Sequence, residues 1–242
     1  MSIWGKIVGG AAGFALGGPL GGLVGAVAGH AIDRMRDSRP TTADETRQTA
    51  FIAAVIVLAA KMAKADGAVS RAEIDAFKRI FRVPSHEFKY VGALFDRARQ
   101  DAAGYEPYAR QIAALFRRTP WVLEELLDGL FEIAKADRAV HPAELAFLKG
   151  VGRIFGFDDA EFERIRASHL DVDEADPYEV LGLTPAAGDG QIKTTYRRLV
   201  REHHPDRLIA EGMPQEFIDI ANDKLAAING AYDRVRRQRG LK

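Results

Sequence analysis

His203-His204-Pro205-Asp206-Arg207 places two imidazoles, a carboxylate and a guanidinium in one short stretch. Three chemistries compete for it. Adjacent imidazoles can bind a metal, but sequence neighbours point different ways, and the chain has no cysteine to complete a site. General acid–base work by His204 and Asp206 suits the side chains, yet no nucleophile or Gly-rich phosphate loop accompanies them. The third reading is a plain connecting loop, because a proline drives its predecessor out of the helical region.

A second set is acidic. Asp66 and Glu73 recur as Asp137 and Glu144, seven residues apart in both cases. Four convergent carboxylates would suit a hard divalent cation, which prefers oxygen ligands. The same residues read equally as helix punctuation. Ser70-x-x-Glu73 is a capping box after a helix that Gly67 can end, and His141-Pro142-x-Glu144 is a weaker version with proline at the first helical position. Both readings stay open.

The third set is basic. Lys193, Arg197 and Arg201 recur at i, i+4 and i+8, with Arg198 beside them, so one helix face carries the positive charge. It is either a docking face or a solvated one. Across all 242 residues, 34 Lys and Arg balance 34 Asp and Glu, which argues against a generally basic nucleic-acid binder. The absence of cysteine excludes disulfide scaffolds, thiolate metal sites and cysteine nucleophiles.

These residues need helices to position them. From Arg47 to Ser168 the apolar spacing is helical, with no convincing alternating strand run. Helices are expected at about 47–65, 70–82, 85–101, 106–118, 120–136, 142–154 and 158–168. The sequence from Met62 to Ile74 repeats at Ile133 to Leu145, an offset of 71 residues, so two helix–turn–helix copies form a compact pseudo-twofold bundle. Polar residues 169–175 form an acidic linker. Beyond it, Asp176 caps a short helix opened by Pro177 and running to Gly182. A second helix covers Gln191–Glu202, buried along Ile192, Thr195, Leu199 and Val200. A third runs from Pro214 to about Arg237. Its stripe of Phe217, Ala221, Leu225, Ile228, Tyr232 and Val235 suits an antiparallel partner.

The N-terminal end differs. Ten of the 23 glycines fall within residues 1–29, where Lys6 is the only charge. Ile7 to Gly29 is an uncharged run of 23 residues, long enough to cross a bilayer as a helix. Gly9, Gly13, Gly17, Gly21, Gly25 and Gly29 recur every fourth residue, a spacing that lets two membrane helices approach closely. Leu16, Leu20, Leu23, Val24 and Val27 between them argue against a flexible glycine tail. Ala26-Val27-Ala28 resembles a signal-peptide cleavage site, but a single lysine makes a poor leading region, so an uncleaved span is expected. Arg34, Arg36 and Arg39 follow it, which puts the N-terminus outside and the later domains in the cytoplasm.

Two family resemblances cover most of the remainder. The doubled Ala-Lys-Ala-Asp-x-Ala-Val-x-x-x-Glu pattern resembles the TerB-like domain of tellurite-resistance proteins. That family is all-α and linked to metal binding through acidic residues. Asp-Pro-Tyr-Glu-Val-Leu-Gly-Leu, then Ile-Lys-x-x-Tyr-Arg-Arg-Leu-Val, His-His-Pro-Asp-Arg and Ile-Asn-Gly-Ala-Tyr-Asp, resembles a complete J-domain over residues 176–242. The J-domain likeness implies that His204, Pro205 and Asp206 trigger ATP hydrolysis by a DnaK-type chaperone. It also implies that Lys193, Tyr196, Arg197 and Arg198 form the docking face.

With Trp4-Gly-Lys-Ile-Val-Gly, Gly29-His30-Ala-Ile-Asp33 and the apolar Arg207–Phe217 connection, the chain resembles DjlA-type membrane-anchored DnaJ-like proteins end to end. The resulting expectation is an all-α chain. It has an anchor at 1–30, a juxtamembrane linker at 31–46, a TerB-like domain at 47–168, an acidic linker at 169–175 and a J-domain at 176–242. The resemblance implies a non-enzymatic co-chaperone in the bacterial inner membrane that recruits DnaK and stimulates its ATPase. Its partners are DnaK, the membrane, a second copy through the Gly-rich span and a client the sequence does not name; nucleic acid is not among them. No cofactor is required, with a divalent cation in the TerB-like domain as an option through Asp66, Glu73, Asp137 and Glu144. No Gly/Phe-rich stretch and no Cys-x-x-Cys module follow the J-domain, so general binding of unfolded clients is not expected. The alternative is a TerB-like metal-binding or stress-sensing scaffold whose J-domain is secondary. A metal-dependent hydrolase is a poor third, lacking a base, a nucleophile and a pocket.

Overall fold

Ala50 to Ala63 carries one charge, Lys61, in an otherwise apolar run, and a helix apolar all round must be buried all round. The computed structural model bears this out. Helix α1 (Ala43–Ala65) has every side chain from residue 50 to residue 63 buried. The structure describes residues 17–22, 43–65, 74–75, 77–78, 83, 85, 88–101, 104–137, 140–170, 175–210 and 215–241, and all elements found among them are helices. Around α1 pack α2 (Phe88–Gln100), α3 (Glu106–Leu115), α4 (Pro120–Ala134) and α5 (Pro142–Phe155). The helices expected at 47–65, 85–101, 106–118, 120–136 and 142–154 match these within a few residues at each end, and most of the one expected at 70–82 lies outside the described residues. The second repeat copy is α4, a 3-10 turn at Lys135–Asp137 and α5.

One buried cation needs its own account. Lys61 Nζ donates to the Asp101 carboxylate at 3.0 Å and to its carbonyl at 3.1 Å. Tyr108 Oη donates to the same carboxylate at 2.8 Å, and its ring lies 5.2 Å from the ammonium. Lys64 Nζ adds a bond to the Asp101 carbonyl at 3.2 Å. This network closes the C-terminal end of α2 against α1 and α3. It supplies donors to the Asp101 carbonyl, just past the end of α2.

Most of the Gly-rich segment lies outside the described residues. Within 17–22, the backbone turns at Gly17 (φ +55°) and Gly18 (φ +58°) before one helical turn. Leu20 is fully buried. Gln111 of α3 accepts from the Leu20 N–H at 2.9 Å and donates to the Gly17 carbonyl at 2.8 Å. A Cβ at Gly18 would stand 2.9 Å from Gln111 Oε1 and displace that side chain, and the φ of +58° itself favours glycine there. Among the described residues no helix is long and apolar enough to cross a membrane.

The chain divides into two compact units, Met1–Phe155 and Gly156–Lys242. The second begins at Gly156, whose φ of +97° favours glycine. Helix α6 (Asp159–Ser168) follows, opened by a reciprocal capping box between Asp158 and Glu161. It packs on α7 (Pro177–Val180) and α10 (Gln215–Arg239), and Ala167 joins their core. The last expected helix of the middle segment thus sits with the C-terminal unit.

Asp176 caps α7 by accepting from the Tyr178 N–H at 2.9 Å. Helix α8 (Asp189–Glu202) lies antiparallel to α10. Asp189, at the start of one, pairs with Arg239, at the end of the other, at 3.1 Å. Midway, the Tyr196 and Tyr232 rings stack 3.9 Å apart. Ile192 and Leu199 meet Ile228, Ala231 and Val235 in the core.

Candidate functional site

The site is the corner where α8 ends. Pro205 has no N–H and disfavours helical geometry at His204, so α8 cannot pass through. His203 closes the helix instead, its N–H reaching the Leu199 carbonyl at 2.9 Å and its side chain buried. His204 faces solvent. The two imidazoles therefore diverge, as the sequence requires of neighbours, and no metal pair forms from them.

Beyond the corner the chain is a helix where a loop was expected. Helix α9 spans Pro205–Ala210, and Leu208 anchors it in the core. Six residues carry too little periodicity to be seen in a sequence. The local chemistry still explains the helix: proline suits the first helical position, and His204 acts as the N-cap. Its Nδ1 accepts from the Asp206 N–H at 3.3 Å, while the Arg207 N–H reaches the His204 carbonyl at 3.0 Å. The same Nδ1 lies 3.5 Å from the Asp206 carboxylate. That carboxylate is left pointing outward, with the Asp206 side chain 80% exposed. Arg207 fixes the corner from the other side, donating through Nη1 to the Glu202 carbonyl at 3.1 Å, one of the last unpaired carbonyls of α8.

The basic residues of α8 differ in exposure and in partners. Arg197 is exposed. Arg198 pairs with Glu202 at 2.6 Å one turn away. Lys193 is half-buried. Tyr196 differs from the other three, because its ring is stacked on Tyr232 and its hydroxyl donates to Asn229 Oδ1 at 3.0 Å. It serves helix packing and offers solvent only part of its surface.

Two features escaped the sequence reading. Arg239 gathers the turn before α8. It donates to Tyr178 Oη at 2.8 Å, to the Ala187 carbonyl at 2.7 Å and to the Pro185 carbonyl, while pairing with Asp189. The second is that a His-Pro helix start occurs twice. His141 caps α5 as His204 caps α9, its Nδ1 accepting from the Ala143 N–H at 3.3 Å. A repeated His-Pro pair was visible in the sequence and was the available signal.

The acidic set stays apart from this corner. Asp66 and Glu73 lie outside the described residues. Asp137 ends the 3-10 turn, and its side chain is not among those described. Glu144 is buried and accepts from the His141 N–H at 2.8 Å, the reciprocal half of a cap. Among the described residues, no group of three or more His, Asp or Glu is placed to hold a metal ion.

Comparison with known proteins divides the chain in the same order. The family model for the co-chaperone DjlA transmembrane domain matches residues 1–41. That for tellurite resistance protein TerB matches 52–167, and that for the DnaJ domain matches 176–237. The chain is 33% identical to the co-chaperone protein DjlA of Shewanella oneidensis, over the whole of both chains. It is 30% identical to that of Photobacterium profundum, covering 99% of this chain and 100% of the relative. For Coxiella burnetii the figures are 31%, 98% and 98%. No solved structure matches the chain.

Proposed function

The chain belongs to the family of DjlA co-chaperone proteins, membrane proteins with a C-terminal J-domain, and from that premise we propose that it recruits a DnaK-type chaperone to the cytoplasmic face of the inner membrane and stimulates its ATPase there. The observation that supports this most directly is the Asp206 carboxylate, exposed in the first turn of α9 at the foot of the basic face of α8. A cationic helix steers an acidic partner surface into register at modest affinity. An exposed, fixed carboxylate can then compete for a guanidinium or ammonium inside the partner, a charge-assisted bond stronger than a neutral one. No covalent step by this chain is needed. The family name describes a regulator of another protein's chemistry.

The test is stimulation of a DnaK-type ATPase by the full chain in vesicles. Asp206→Asn should abolish stimulation without unfolding the J-domain, since the side chain contributes no core contact. His204→Gln should reduce it strongly. Full stimulation by Asp206→Asn would remove the proposal. Orientation in the membrane is checked separately: a protease added outside sealed inner-membrane vesicles with the cytoplasmic face outward should degrade the J-domain.

A further inference from the structure

We propose that His204 and Arg207 act on the chaperone through Asp206, as positioning residues that hold its carboxylate at the corner of α8 and α9. The inference rests on the co-chaperone reading above and assigns roles within it. Three observations carry it. His204 Nδ1 is engaged as a helix cap, accepting from the N–H of Asp206 itself, so the imidazole holds the backbone of the residue that presents the carboxylate. The same geometry recurs at His141-Pro142-Ala143, far along the sequence and with no acidic side chain to present, so a His-Pro cap in this chain stands on its own as a helix-starting device. Arg207 ties α9 to the end of α8 through the Glu202 carbonyl, which fixes the angle between the basic face and Asp206.

A helix of six residues is marginal alone, because nucleation is costly and few bonds follow it. The start of α9 therefore depends on its cap. A lost cap costs on average a factor of about five in the population of the capped form. The basic face of α8 is untouched by that loss, so docking should survive while triggering falls.

The experiment compares full-length His204→Asn, His204→Ala, Arg207→Lys and Arg207→Met in ATPase stimulation against co-chaperone concentration. Asparagine caps helices well and alanine does not. His204→Asn should keep maximal stimulation close to the parent value, and His204→Ala should lose up to about fivefold. Half-saturating concentrations should stay at the parent value in both. Arg207→Lys, still able to donate to the Glu202 carbonyl, should exceed Arg207→Met. If His204→Asn is as inactive as His204→Ala while unfolding at the parent temperature, His204 touches the chaperone directly and the positioning role is wrong. A rise in half-saturation with unchanged maximum would overturn it equally. Asp206→Asn is measured alongside: its loss of stimulation is required by the premise, and its retention would remove the premise itself.

Discussion

Glu202→Gln should make this protein a better partner for its chaperone at low salt. Arg198 Nη1 lies 2.6 Å from Glu202 Oε2, both side chains being partly exposed. To reach an acidic group on a partner, Arg198 must leave or share that pair. An exposed i, i+4 pair is worth about 0.3–0.5 kcal/mol, so releasing Arg198 gains roughly twofold in affinity. Glu202 also repels the incoming acidic surface. Two like charges about 8 Å apart in water cost about 0.5 kcal/mol before screening, another factor of about two. Together the substitution should tighten half-saturation of ATPase stimulation roughly three- to fivefold at low ionic strength.

The fold should tolerate the change. Arg207 bonds the backbone carbonyl of Glu202, which the substitution keeps. A carboxylate in the last turn of a helix opposes its dipole, so its removal does not weaken α8. Salt supplies the control, since the Debye length shrinks from about 10 Å at 0.1 M to 3 Å at 1 M and the gain should vanish over that range. In contrast, Arg197→Glu should weaken docking more than Arg198→Glu, because Arg198 is already partly neutralised. Unchanged or weaker half-saturation for Glu202→Gln at low salt, or a gain that persists at high salt, would refute the electrostatic account.

Asp101→Ala should lower the stability of the first unit by ~2–3 kcal/mol, below the range for a fully buried pair because Asp101 keeps partial exposure. Thermal unfolding should shift down by roughly 5–10 °C, with no fall in chaperone stimulation at temperatures where the protein remains folded. Burial, followed by its bond to Asp101, pushes the Tyr108 phenol above its ordinary value of 10.0. The native state thus holds that proton where the unfolded chain loses it. Stability should be insensitive to Tyr108 below pH 10 and fall as pH rises above it, and Tyr108→Phe should flatten that alkaline slope in denaturant titrations. The two readings of the acidic set separate in one titration. Capping predicts that Glu144→Ala costs about 1 kcal/mol whatever ion is present. A rise in melting temperature with Ca²⁺, Mg²⁺, Mn²⁺ or Zn²⁺ that Asp66→Asn with Asp137→Asn removes would show an ion held by the carboxylates.

Where the sequence was legible, a periodic pattern coincided with a buried face. The stripe Phe217, Ala221, Ile228 and Val235 is buried as its spacing demands, and α1 is central because its apolar residues leave no face for water. Contacts between elements were not legible. Lys61 lies in a run of alanines beside Lys64 and reads as a solvated lysine until Asp101 and Tyr108 arrive from 40 and 47 residues away. Tyr196 looked like part of a docking face, and only the neighbouring helix shows that its ring meets Tyr232. Phe162 and Ile165 mark a buried face on α6, but nothing in that stretch says that the face belongs to the C-terminal unit. At the other end, a four-residue glycine spacing suggests one continuous helix. Within that spacing Gly17 and Gly18 take positive φ angles, a freedom that glycine has and spacing does not reveal.

The two His-Pro starts show how one local device serves two ends. In His141-Pro142-Ala143-Glu144 the third helical residue turns back, and its carboxylate closes the cap on the His141 N–H. The His141 imidazole and the Glu144 carboxylate both serve that start, and Glu144 is buried. In His204-Pro205-Asp206-Arg207 the acidic residue stands one position earlier, where its side chain cannot reach back in the same way. The residue in the closing position is an arginine, which reaches across to the preceding helix. That exchange leaves the Asp206 carboxylate largely exposed, with the His204 imidazole 3.5 Å away, while its backbone remains held by the cap. A single shift of the acid along the first turn thus separates a start whose carboxylate is buried in its own cap from one whose carboxylate stands at the surface. It also explains why His-Pro alone marks only a helix start in this chain.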